Sequence, residues 1–200
     1  MPDDKDDIRN SILEAAIQRF KQYGFCKTTV EEIAKDIKIR KANIYLYFKS
    51  KKDIIIALID SYYKSKLSSS EEVYHNGTSI KQRFMDLINI RFMAMYEDCL
   101  SSPHGYELAQ LTSTTMKDEY HEVTDPYHEK MDHLLVQLIE EGNREGLFEV
   151  DDPRRVGEHI ATSFKIIYPQ NMVWECPDEV RKYIETIVDL TYNGMLKRKD

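Results

Sequence analysis

Three cysteines, Cys26, Cys99 and Cys176, are all that the sequence holds, and they lie far apart with no C-x-x-C pair. That excludes a disulfide framework, argues against a zinc site and fits a reducing compartment. Glycine and proline are scarce too, at seven and six residues in 200, which disfavours a turn-rich β fold. The longest purely apolar run, residues 54–59, is far short of the roughly 20 residues that cross a bilayer. The chain starts with Asp3, Asp4, Asp6 and Asp7, opposite in sign to a secretory signal. Catalytic frames are missing: no G-x-S-x-G, P-loop or G-x-G-x-x-G accompanies the neighbouring Ser101, Ser102 and His104. The expectation is a cytoplasmic all-α protein with no membrane partner, no catalytic residues, no bound metal and no cofactor.

The net charge of −7 is unevenly divided. Residues 1–52 carry 12 Lys and Arg against 8 Asp and Glu, a surplus of +4, and residues 53–200 carry 16 against 27, or −11. Between residues 27 and 52 the count is 8 basic against 3 acidic. A polyanion would be drawn to that stretch and repelled by the rest, which would orient the molecule on DNA.

The basic stretch reads TTVEEIAKDIKIRKANIYLYFKSKK from Thr28 to Lys52. Thr29 and Glu32 have capping-box spacing, so a helix is expected to begin near Val30, with Val30, Ile33, Ala34 and Ile37 on its apolar face. The pattern breaks at Lys38. A second short helix can carry Arg40 to Tyr45, with Ile39 and Ile44 inward. Ser50 and Asp53 then open a long helix. Helix, sharp turn and short basic helix is the helix-turn-helix arrangement, whose second helix lies in the major groove.

Together with the preceding AIQRFKQYGF, this run resembles the N-terminal domain of the TetR family of bacterial transcriptional regulators. The resemblance rests on Gly24-Phe25, Thr28-Thr29, Ile33-Ala34, Lys41, Tyr45-x-Tyr47-Phe48 and Lys51. It implies a three-helix DNA-binding domain over 1–66, with its motif at about 29–48. A helical ligand-binding and dimerisation domain over 67–200 would follow, for about nine helices in total. The expected DNA contacts are Thr28, Thr29, Arg40, Lys41, Ala42, Asn43, Tyr45, Tyr47 and Lys51. Arg40 and Asn43 suit base edges; Lys41, Tyr45, Tyr47 and Lys51 suit phosphates. Thr28 and Thr29 would meet the DNA backbone at a helix start. The chain departs from the family twice. The turn has Lys38 where glycine is usual, so Lys38 must adopt an unusual backbone conformation or the turn must differ. Arg40 stands where a small residue is usual.

Downstream, apolar periodicity predicts helices over 6–23, 53–67, 80–97, 103–113, 116–123, 127–143, 153–168 and 178–196. Ser68–Ser70 and His75-Asn76-Gly77 are read as the domain boundary, and Asp125-Pro126 as a helix stop. Gly142-x-x-x-Gly146-x-Phe148 before Asp152-Pro153 also resembles the family.

The last two helices carry Val156, Ile160, Phe164, Ile167, Val180, Ile184, Ile187 and Val188, more apolar faces than a lone domain needs. The family resemblance implies that they form a four-helix homodimer interface. A small-molecule effector pocket is expected from Phe92, Met93, Tyr96, Tyr106, Met116, Tyr120, Phe164 and Tyr168, with His104, Gln110 and His133 as its polar groups. The expected function is a repressor that leaves its operator, double-stranded DNA, when the effector binds. The alternative is a helical interaction protein, or a metal or thiol sensor. Its candidate ligands would be His121, His128, Asp132 and His133, and its thiols Cys26, Cys99 and Cys176.

Overall fold

The computed structural model describes residues 4–93, 96, 97, 99, 101–164 and 177–198. Nine α-helices and no strand occur among them. The chain divides into two compact units: Met1–Tyr62 with Asp98–Thr124, and Tyr63–Glu97 with Asp125–Asp200.

In the first unit, α1 (Asp4–Tyr23) buries Ile12, Leu13, Ala16 and Phe20 along one face. α2 (Val30–Asp36) starts at Thr29, and the capping box is complete. The Thr29 hydroxyl accepts from the Glu32 N–H at 3.2 Å, and the Glu32 carboxylate accepts from the Thr29 N–H at 2.8 Å. Val30, Ile33 and Ala34 are buried beneath it. α2 ends in a left-handed residue, Lys38, at φ 58°. The Ile39 N–H then returns to the Ala34 carbonyl at 3.0 Å, as at helix ends usually closed by glycine. α3 (Lys41–Ile44) follows, and α4 (Lys51–Asn76) opens with the Ser50 hydroxyl accepting from the Asp53 N–H at 3.1 Å. Ile54, Ile55, Ile44 and Phe48 complete the core, with Met116 from the loop between α6 (Gly105–Thr114) and α7 (Lys117–Arg144).

Arg19 clamps α1 to α2. Its Nε and Nη2 donate to Asp36 at 2.5 and 2.8 Å, and Glu32 lies at 3.5 Å. The hydrogen bonds from Arg19 lower the Asp36 carboxyl pKa, and bonds from Thr29 lower that of Glu32.

The second unit has its own core, built on Phe84, Leu87, Ile88, Phe92, Leu138, Ile139, Phe148, Ile160 and Phe164 with Val180, Ile184 and Val188. Its helices include α5 (Ile80–Ile88), α8 (Pro153–Ser163) and α9 (Pro177–Met195). Arg83 of α5 donates to the Tyr74 carbonyl at 3.1 Å and to both carboxylate oxygens of Glu141. Gly142 makes room for the Phe148 ring, which would lie 2.1 Å from an added Cβ. Asn143 holds the Val150 backbone through two hydrogen bonds, and Asp152 caps α8.

Several sequence expectations need correction. Ser68–Ser70 do not break the helix: the Ser70 hydroxyl donates to the Lys66 carbonyl, four residues back, at 2.9 Å and is buried. The break comes at Gly77. Asp125-Pro126 does not stop α7 either, and Pro126 sits inside it. Beyond Pro126, Met131, Leu134 and Leu138 of α7 are buried in the second core, which offsets the missing N–H. The helix expected over 80–97 changes at Asn89–Met93 into a π-helical turn. Of the helix expected over 153–168, residues 165–168 lie outside the described residues.

Two outcomes follow. Lys38→Gly relieves a strained left-handed residue, so it should raise stability in urea denaturation by up to about 1 kcal/mol; a loss would mean that the conformation is unstrained. Asp36 has a lowered folded pKa, so its contribution is complete above an unfolded value of about 3.9 and vanishes as pH falls through the folded one. Asp36→Asn should therefore reduce stability at pH 7, and the difference from wild type should shrink as pH falls below about 3.9.

Candidate functional site

α3 is four residues long, too short to persist alone. Its orientation comes from Ile44, fully buried, and from Phe48, 5% exposed, both anchored in the first core. The opposite side is left open. Arg40, Lys41, Ala42, Asn43, Tyr45 and Leu46 are all exposed, and Leu46 is the most so at 81%. Arg40 precedes the helix with extended backbone and makes no side-chain cap bond. Tyr47 is half-buried against the core. The arrangement presents two cations, a carboxamide, a phenol and an aliphatic tip from one rigid turn. Sequence reasoning missed Leu46. As an aliphatic residue between two tyrosines it carried no contact signal of its own, and its exposure is seen only in the fold. Behind α3, the Arg9 guanidinium of α1 lies 5.4 Å from the Phe48 ring centre.

Three expected phosphate contacts are committed elsewhere. Thr28 is 1% exposed, and its hydroxyl donates to the Gly24 carbonyl at 2.9 Å. The Thr29 hydroxyl donates to the Glu32 carboxylate at 2.8 Å, so an acidic group already occupies that helix start. The Lys51 ammonium donates to the carbonyls of Phe25 and Thr28, at 2.6 and 2.7 Å, and lies 4.3 Å from the Phe25 ring centre. Burial lowers its pKa. Their side-chain bonds build the domain.

The expected effector set is not gathered in one place. Phe92, Met93, Tyr96 and Phe164 are buried in the second core, whereas Met116 is buried in the first. His104 pairs with Glu107 at 2.7 Å. Tyr106, Gln110 and His133 are exposed and Tyr120 is half-exposed, because helical spacing alone does not say which side faces inward. Tyr168 lies outside the described residues. A cavity of about 10 Å³ in the second core is lined by Ser70, Leu87, Arg91, Phe92, Met131 and Asp132, among others; it has room for about one water.

The expected dimer residues need a similar correction. Ile160, Phe164, Val180, Ile184 and Val188 face their own chain's core. Val156 and Ile187 are partly exposed, and Ile167 lies outside the described residues. Along α9, Tyr183 and Ile187 are half-buried against the core, and Leu190, 65% exposed, and Gly194 continue that stripe outward. Among the described residues no three His, Cys, Asp or Glu are placed to hold a metal, and no helix is long and apolar enough to cross a membrane.

Residues 12–58 match the family described as bacterial regulatory proteins, tetR family, and residues 81–189 match the tetracyclin repressor-like C-terminal domain. An uncharacterized HTH-type transcriptional regulator, YuxN of Bacillus subtilis, is 30% identical over 44% of this chain and only 29% of its own length. The fatty acid metabolism regulator protein of the same organism is 28% identical over 68% of this chain and 71% of its own. A TetR transcription regulator structure from Haloarcula marismortui superposes with a TM-score of 0.78 at 18% identity, covering 96% of this chain and 100% of that one. The second of the matched regions alone spans more than half of the sequence, and the chain belongs to the TetR family of transcriptional regulators.

Proposed function

We propose that this chain is a homodimeric, cytoplasmic repressor that reads an operator through α3 and releases it when a small molecule enters the second unit. The carrying observation is the inward seat of Ile44 and Phe48, which leaves Arg40, Lys41, Asn43, Tyr45 and Leu46 free on one rigid turn. Arg40 pairs with guanine and Asn43 with adenine in the major groove; Leu46 meets a thymine methyl; Lys41 and Tyr45 bind phosphates. The division into a DNA-binding domain over 1–66 and an effector and dimerisation domain over 67–200 is part of this reading.

Two copies are needed to reach two half-sites about 34–36 Å apart. The stripe Tyr183, Ile187, Leu190 and Gly194, with Val156 of α8, supplies the apolar surface for the second copy. An effector acts by binding one packing of the second unit better than another. α4 runs unbroken from Lys51 to Asn76 and carries that difference along the chain. A coupling of about 1–3 kcal/mol suffices.

The test is an electrophoretic shift with DNA from upstream of the protein's own gene, with affinity falling steeply as salt rises. Asn43→Ala should weaken discrimination at one base position by about 1–3 kcal/mol. Lys41→Ala should weaken all sequences alike and reduce the salt slope by about 1. Leu190→Glu should give a monomer in sedimentation and lose tight operator binding. If neither the Asn43 nor the Lys41 variant changes the shift, α3 is not the reading element.

A further inference from the structure

The second core contains a buried ion pair beside a cavity. Arg91 stands on the π-helical turn Asn89–Met93 with its side chain only 8% exposed. Its Nη1 donates to the His128 carbonyl at 3.2 Å and to the Asp132 carboxylate, and its Nη2 reaches the other Asp132 oxygen at 3.3 Å. The Nε–H is buried with no protein acceptor, as is that of Arg83; of the two, it is Arg91 that lines the small cavity. Arg91 and Asp132 both line the small cavity, whose other walls include Leu87, Ile88, Phe92 and Met131. A buried donor without a partner costs stability unless something supplies an acceptor.

We propose that this is the recognition point for the effector, and that the effector is an organic carboxylate with an apolar body. The inference rests on reading the second unit as the effector module. The ligand carboxylate takes the Arg91 fork, including Nε, and Asp132 is the group it displaces. Asp132 is 33% exposed and can turn into water, whereas Arg91 cannot leave. The exchange keeps the buried charge balanced, since two carboxylates on one guanidinium would leave an excess negative charge in the core. Asp132 is thus a built-in competitor that holds the closed form. The apolar body enters among Leu87, Ile88, Phe92 and Met131. The present cavity fits about one water, so binding requires the π-helical turn to repack, and such turns are places where the helical ladder is already interrupted. A ligand that binds only the repacked form has the differential affinity that release of DNA demands.

The test is calorimetric titration of the full-length protein with the sodium salts of straight-chain acids from acetate to decanoate, and with the matching alcohols. At least one acid should bind, at one per chain, and its alcohol should bind at least tenfold more weakly. Asp132→Asn should tighten the acid at least tenfold, and Arg91→Gln should abolish it. If Arg91→Gln does not fold, the acid-to-alcohol ratio and the Asp132→Asn titration decide. Binding of no acid to either wild type or the Asp132→Asn protein overturns the proposal, as does equal binding of acid and alcohol. The same proteins are run in the DNA shift assay. Release by a molecule that is not an acid leaves the effector reading standing and removes the carboxylate. Failure of any molecule to release bound DNA removes the effector reading itself.

Discussion

The burial of Ile44 is the constraint on which the presentation of α3 rests. A four-residue helix has no stability of its own, because nucleating a turn fixes several residues for very few hydrogen bonds. What holds α3 in shape is a fully buried isoleucine and, four residues on, a nearly buried phenylalanine, both in the core made by Ile12, Phe20, Ile33 and Ile54. Helical geometry then decides which neighbours are left outside. The polar and basic side chains are presented because the apolar ones are not free to turn.

Electrostatics works at two scales here. Within the first unit, charges are used in pairs: Arg19 with Asp36 across two helices, and Lys52 with Glu119. The exposed residues of α3 lie outside those pairs, inside a stretch with a basic surplus. Within the second unit, the two most enclosed guanidinium groups, Arg83 and Arg91, are each matched by one carboxylate. They differ in their surroundings. Arg83 joins the end of α4 to α5 and α7, whereas Arg91 lines a cavity on a turn that departs from the α-helical ladder.

The first unit was largely legible in the sequence because its signals are local. The capping box at Thr29 and Glu32, the Ser50 cap and the conflict at Lys38 are each settled within a few residues, and the structure contains all three. The outward face of α3 was legible for the same reason, since Ile44 and Phe48 fix its register. The packing role of Lys51 was not legible because its partners, the carbonyls of Phe25 and Thr28, are distant in sequence and carry no side-chain signature. In the second unit the difficulty was orientation. Apolar spacing correctly marked α9 as amphipathic, but Val180, Ile184 and Val188 could serve an inner core or an interface equally well, and only the packing separates them. The Ser68–Ser70 run and Pro126 show the limit of local rules: tertiary burial carried both helices through residues that discourage them.

The Lys51 ammonium has a mechanical consequence. It sits in the first turn of α4 and grips two carbonyls of the segment that leads from α1 into α2, with the Phe25 ring beneath it. Pulling or twisting α4 at that end therefore drags the 25–28 loop with it, and through the loop the start of α2. The start of α4 and the approach to α2 are thus tied at two backbone oxygens by one side chain, so neither can shift at that end without breaking both bonds.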